Sequence, residues 1–216
     1  TPELITAGPL RVVSYLPLSH IAAQIVDIHS PMGGLLMGLP AEVHFARPDA
    51  LKGTLKQTLI DAKPAVFFAV PRVWEKFAEK MAEIGAKIKA GGGLKPKISA
   101  WAKSTMLYHA RASRLGGSGG TCSWFHGVAG IILSKAKAGL GLDQMKFAMT
   151  GAAPIKLETL QYFGSIGIFI NEVYGMSECA GACTISTDHA HVWGSCGYPM
   201  PGVEVKIFKE GGKGGV

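Results

Sequence analysis

Two hydrophobic periods alternate along this chain and divide it into strands and helices. Short apolar or alternating runs mark strands at Arg11–Leu16, Glu42–Ala46, Ala65–Val70, Gln144–Thr150 and Ile166–Ile170. Ala65–Val70, AVFFAV, is apolar without a break, as a strand buried on both faces would be. Helical character fills the gaps. Ile21–Ile28 follows the first strand, and Pro48-Asp49 opens a helix through about Ala62, with Leu51, Leu55 and Leu59 four apart on one face. Pro71 starts a long helix whose apolar stripe is Val73, Phe77, Met81, Ile84 and Ile88, with Trp74 and the lysines beside or opposite it. Lys97–Ser113 carries Trp101, Met106 and Leu107, and Ser123–Gly139 places Val128, Ile131 and Ile132 inward. A further helix is predicted over Pro154–Phe163. Strand, helix and strand recur in this order, which predicts an α/β fold: a parallel sheet flanked by helices and joined by right-handed crossovers.

Composition narrows the class. Of 216 residues, 48% are hydrophobic and only 17% charged, so the chain can bury a sizeable core and is not disordered. The net charge of +7 comes largely from lysines between Lys52 and Lys137, with no arginine cluster. A solvated basic face explains this better than nucleic-acid binding, and docking on an anionic membrane is a further option. The longest apolar candidate for a span, Pro31–Ala41, is short and broken by Gly33, Gly34, Gly38 and Pro40. Thr1–Arg11 lacks the layout of a signal peptide. The expectation is therefore a cytoplasmic protein, with peripheral attachment to the endoplasmic reticulum or another membrane left open, and four cysteines kept as reduced thiols.

The candidate chemistry gathers at Asn171–Thr184, NEVYGMSECAGACT. Tyr174 can stack on a planar base, and Gly175 lets backbone approach a ligand. Ser177 can hydrogen-bond a phosphate oxygen, and Glu178 can hold a Mg²⁺ that also grips phosphates. If Ile166–Ile170 is a strand, Tyr174–Glu178 lies where that strand opens into a loop, the edge at which open α/β sheets bind ligands. Gly151-Ala152-Ala153-Pro154 leaves similar room at the end of another strand, and His20 follows the first. Cys179, Cys183, His189 and His191 offer soft metal ligands, but the histidine pair is too closely spaced for the usual zinc pattern. The GGSGG stretch at Gly116–Gly120 reads as a flexible connector, since no Gly-Lys-Ser/Thr ending occurs in the chain. Beyond the alternating Gly and Pro of Gly194–Gly202, Val203–Phe208 is predicted to begin a separate small β region.

Four stretches in order, LPLSH at Leu16–His20, TGAAP at Thr150–Pro154, YGMSE at Tyr174–Glu178 and GSCGYPMPG at Gly194–Gly202, resemble motifs of the acyl-adenylate-forming (AMP-binding) enzymes. With VPRVWEKF at Val70–Phe77, the sequence is most similar to long-chain acyl-CoA synthetases of the bubblegum type. The resemblance implies the central part of the large N-terminal domain of such an enzyme: residues 1–202 as a partial AMP-binding domain and 203–216 as the start of a small β region. It implies an ATP-dependent fatty acid–CoA ligase, with ATP, Mg²⁺ and coenzyme A as cofactor and co-substrates, fatty acid as substrate, and no nucleic-acid partner. A carrier-protein acceptor, or a non-catalytic homologue that binds acyl chains or a partner, are the alternatives.

By the same resemblance Gly151, Ala152 and Ala153 line the nucleotide and the acyl carboxylate. Glu172 and Val173 lie along the adenine edge, and Tyr174 stacks on adenine beside Gly175. Ser177 touches phosphate where many members carry threonine, Glu178 binds Mg²⁺, and His20 shapes the acyl side of the pocket with support from Trp74. Members also carry a phosphate loop upstream of the LPLSH motif, and a ribose-binding aspartate, a hinge and a lysine-bearing domain downstream. The expectation is that this chain is an internal fragment that binds ATP poorly and does not turn over alone.

Overall fold

The computed structural model describes residues 8–113, 115, 117, 123–188, 190–208 and 214–215. Seven strands form one sheet: β1 (Leu10–Ser14), β2 (Ala41–Phe45), β3 (Val66–Ala69), β4 (Phe147–Thr150), β5 (Ile170–Met176), β6 (Gly181–Ile185) and β7 (Tyr198–Pro199), in the order β2-β1-β3-β4-β5-β6-β7. The first five run parallel, as the strand–helix–strand pattern predicts. At β5 the direction changes, because β6 and β7 fold back antiparallel. β8 (Ile207–Phe208) and β9 (Gly214–Gly215) make a separate two-stranded ribbon, far shorter than the strand expected over Val203–Phe208.

Both faces of the sheet are covered. One carries α1 (Ile21–Gln24), a π-helical turn over Ile25–His29 and α2 (Ser30–Leu36). The other carries α3 (Leu55–Ala62), α4 (Pro71–Ala90), α5 (Leu94–Ala112), α6 (Ser123–Ala138) and α7 (Leu157–Ser165). Strand alternation sends Phe67 into the main core with Trp74, Leu59 and Phe163, and Phe68 into the smaller cluster with Val12, Val26 and Val66. That division explains why β3 is buried along its whole length.

Several expectations are corrected. The helix expected from Pro48 is a single 3₁₀ turn, Ala50–Lys52, then Gly53 at φ +140° and only then α3; Leu51 is consequently exposed, unlike Leu55 and Leu59. Trp74 lies in the core and not beside it, whereas Ile84 and Ile88 are exposed because α4 outruns the surface it packs on. In α6, Ala129 and Leu133 face inward and Ile131 outward. Pro154 does not begin a helix, which starts at Leu157. Ile166 and Ile168 are buried in the turn after α7, and the strand begins only at Ile170. Tyr174–Met176 therefore belong to a paired strand and do not lie in an open loop. The Gly116–Gly120 connector lies outside the described residues, apart from Gly117.

Candidate functional site

A cleft of about 620 Å³ opens between the sheet and the α1–π segment. Its floor is Val66 and Phe68 of β3 and Phe147 and Met149 of β4, with Val26 opposite. Val66 is in register with Phe147, and Gly151 lies four residues further along, so the apolar floor runs roughly 13 Å at about 3.3 Å per residue. At the carboxyl ends of the strands the lining turns polar, with His20, the Gly151-Ala152 backbone, Ser177 and Glu178. One cleft thus joins an apolar trough to a polar mouth.

Local folding fixes each of these groups. His20 is the N-cap of α1, where its Nδ1 accepts a hydrogen bond from the Ala22 N–H at 3.1 Å. The neutral ring then carries its proton on Nε2. Gly151 is packed so that a Cβ would sit 3.1 Å from the Val173 carbonyl oxygen and 3.4 Å from the Phe68 ring. Ala152 is held at φ +70° and Ala180 at φ +56°, left-handed conformations that cost an L-residue energy and cluster at ligand sites. Ser177 and Glu178 sit on the 3₁₀ turn Ser177–Cys179, which links β5 to β6 and ends on Ala180.

The structure joins Cys179 and Cys183 in a disulfide, which corrects the expectation of four reduced thiols. The β5–β6 turn brings their Cα atoms to 6.6 Å, within bonding reach, a proximity that a four-residue spacing does not reveal. Bonded to each other, they offer no thiolates for zinc. His189 lies outside the described residues, and among those described no cluster of three or more metal-ligating side chains occurs. Glu178, on the 3₁₀ turn, offers a carboxylate of the kind that could hold Mg²⁺, which binds through one or two carboxylates plus water and substrate phosphates.

The other predicted residues lie elsewhere. Val173 and Gly175 line the cleft, so Glu172 and Tyr174 project from the opposite side of β5. Tyr174 is half exposed there, and Ala153 is exposed just outside the cleft lining. Glu172 is buried, and its carboxylate accepts a hydrogen bond from the Gly194 N–H at 2.8 Å, which ties the Gly194–Gly202 loop to β5. Burial pushes the Glu172 carboxyl above its ordinary 4.5, opposed in part by the backbone N–H groups of Gly194 and Ser195. Burial, and then the Glu172 charge, raises the Cys196 thiol as well. Sequence reading had no means of finding this latch, because its partners are 22 residues apart.

A raised carboxyl binds its proton more tightly in the folded state than in the unfolded one. Its cost to stability is absent in acid and grows as pH climbs above 4.5 through the folded value. Glu172→Gln keeps an acceptor for Gly194 and removes the titration. Urea melts between acid and neutral pH should show a flatter pH slope for the variant than for the wild type across that window.

Beyond the cleft, a second cavity of about 770 Å³ lies between residues 50–56 and α4; it is rimmed by lysines and lined in part by Val70, Val73 and Phe77 of the VPRVWEKF stretch, but by no residue of the four ordered motifs. Among the described residues Trp74 lines neither cavity; its indole N–H donates to the Met149 carbonyl oxygen at 3.2 Å from the far side of the sheet.

The AMP-binding enzyme family matches residues 4–216. The long-chain-fatty-acid–CoA ligase ACSBG2 of Gallus gallus is 43% identical over 200 residues, covering 92% of this chain and 25% of that protein. ACSBG1 of Homo sapiens is 37% identical over 205 residues, covering 94% and 27%. The chain thus spans about a quarter of the length of the curated relatives it matches. Among solved structures, the anthranilate CoA ligase AuaEII with anthranoyl-AMP superposes with a TM-score of 0.56 at 13% identity, over 96% of this chain and 29% of that one. Apo MatB from Rhodopseudomonas palustris gives 0.52 at 16% identity, over 95% and 29%. At those identities the structural likeness speaks for the fold alone. With its motifs in order, its parallel sheet and a family match over nearly its whole length, the chain belongs to the AMP-binding enzyme family.

Proposed function

We propose that this chain is the central part of the adenylation domain of a long-chain fatty acid–CoA ligase, with residues 1–202 in that domain and 203–216 opening a following small β region. The observation that supports it best is the two-ended cleft, apolar along β3 and β4 and polar at His20, Gly151-Ala152, Ser177 and Glu178. A fatty acid fits such a shape with its tail over Phe68 and Met149 and its carboxylate at the mouth.

In the first half-reaction a carboxylate oxygen attacks the α-phosphorus of ATP. The new C–O–P bond forms as the bond to the β-phosphate oxygen breaks, and pyrophosphate leaves with that electron pair. In the second, the sulfur of coenzyme A attacks the acyl carbonyl. AMP departs with the bonding pair of the mixed anhydride, and the thiol proton passes to solvent. Neither step needs a nucleophile from the protein, so the residues position reactants and balance charge. His20 Nε2–H donates to the acyl carboxylate, the Gly151-Ala152 backbone lines the nucleotide and that carboxylate with Ala153 just outside, and the Ser177 hydroxyl touches phosphate. Val173 and Gly175 shape the adenine edge from the cleft side of β5, Glu172 supports that edge from the opposite side by holding the Gly194–Gly202 loop, and Tyr174 stacks from the rim of β5. Glu178 would hold Mg²⁺, which neutralises phosphate charge when bound.

Fatty-acid-dependent pyrophosphate release by the full-length parent tests this reading. Glu178→Gln should slow that release about ten- to a hundredfold, the size expected when one charge-stabilising contact is lost. Release that is driven by amino acids and not by fatty acids, or an unimpaired Glu178→Gln enzyme, would overturn it.

A further inference from the structure

The buried residues of α4, namely Pro71, Val73, Trp74 and Phe77, all lie in its first two turns. Those of α5, namely Ala102, Met106 and Ala110, all lie at or beyond its ninth residue. Between them, residues 82–98 are exposed throughout except for half-buried Gly85 and Pro96. The two helices are joined by the glycine turn Gly91–Gly93, and α4 continues roughly 20 Å past Phe77 at about 1.5 Å per residue. This pair of helix ends projects from the domain with no core of its own.

Its chemistry is not that of an ordinary solvated tip. Residues 80–97 hold five lysines against one glutamate, a net +4 in a chain whose whole excess is +7. Apolar side chains stand exposed among them. Ile84 and Ile88 share one side of α4, while Leu94, Ile98 and Trp101 share one side of α5, with Leu94 73% exposed. Trp101 makes an edge contact with Phe125 of α6 at 6.3 Å, beside exposed Trp124, so aromatic rings border the stretch.

We propose that the projecting α4–α5 pair is a docking surface for an anionic lipid bilayer, with lysines among the headgroups and Ile84, Ile88, Leu94 and Ile98 in the interfacial layer. Lysine beside exposed aliphatic and Trp side chains is the composition of an interfacial membrane element. Protein interfaces are depleted in lysine and enriched in arginine, and residues 80–97 hold no arginine. A nucleic acid would make no use of the aliphatic side chains. No helix among the described residues is long and apolar enough to cross a membrane, so contact is confined to the surface. No residue of the cleft takes part, and the proposal is independent of the ligase reading.

Co-sedimentation of the 216-residue chain with phosphatidylcholine vesicles, with and without phosphatidylserine, provides the test. Binding should require phosphatidylserine and fall steeply with salt. Lys87→Gln with Lys89→Gln should weaken partitioning roughly 30-fold, from about 1 kcal/mol per lysine near the surface. Ile84→Ser with Ile88→Ser should weaken it while leaving the salt dependence in place, and Lys206→Gln should leave it unchanged. All of these positions are exposed or half-exposed, and unaltered thermal melts by circular dichroism confirm that each variant is folded. Equal binding to both vesicle types overturns the proposal, as does full binding by the double-lysine variant. Binding to polyglutamate or duplex DNA but not to vesicles assigns the surface to a different partner and overturns it too.

Discussion

Gly175→Ala is expected to pry apart the hairpin that carries Ser177 and Glu178. A Cβ at position 175 would fall against the Gly181 carbonyl oxygen, 2.7 Å from the Gly181 carbonyl carbon and 2.8 Å from the Ala182 Cα. All three are backbone atoms of the paired strand, so no side chain can swing aside. The ladder already shifts register at Tyr174/Gly175, and further separation would part β5 from β6. The cost should be about 3 kcal/mol, at the upper end of the usual overpacking range because backbone must move. Urea denaturation measures the loss, and hydrogen exchange at the Ala182 and Cys183 amides should accelerate beyond the global change. Gly127→Ala is the control: it lies within α6 with open space around it, and should be neutral or stabilising by about 0.5–1 kcal/mol. Equal effects of the two substitutions would mean that close strand approach is not why glycine occupies position 175.

What the sequence revealed, and what it did not, divides along physical lines. AVFFAV announced a doubly buried strand because both faces of β3 are covered, and period alone can encode that. Ile166–Ile170 misled for the same reason: an apolar run reports burial, and a buried turn is as apolar as a buried strand. The helix face of α6 was misjudged because its inward positions are Ala129 and Leu133, and a small residue can face the core as well as a large one. In the site, His20, Gly151, Ala152, Val173, Gly175, Ser177 and Glu178 do meet in one cleft. Local pattern placed each near a strand end, and the parallel order then brought those ends together. The Glu172–Gly194 latch and the Cys179–Cys183 bond could not be read, since both depend on how a hairpin and a loop fold back.

Trp74→Ala should be the most damaging single truncation, and its consequences should reach the cleft from the opposite face of the sheet. The indole is fully buried, with Phe163 at 4.9 Å and Phe67 at 5.4 Å in edge-on contacts. Removing it leaves a large cavity at a cost of about 3–5 kcal/mol. Trp74→Phe separates two roles. It keeps an aromatic ring among those neighbours but deletes the N–H that donates to the Met149 carbonyl oxygen, which should cost about 0.5–1.5 kcal/mol plus the loss from the smaller ring. The Met149 side chain lies on the cleft floor, two residues before Gly151. If the indole positions that floor, Trp74→Phe should stay folded in circular dichroism yet bind a fluorescent fatty acid more weakly than wild type. If the variant binds the probe as wild type does while losing stability, Trp74 serves the core alone, and the acyl side of the site rests on Phe68, Phe147 and Met149 without its help.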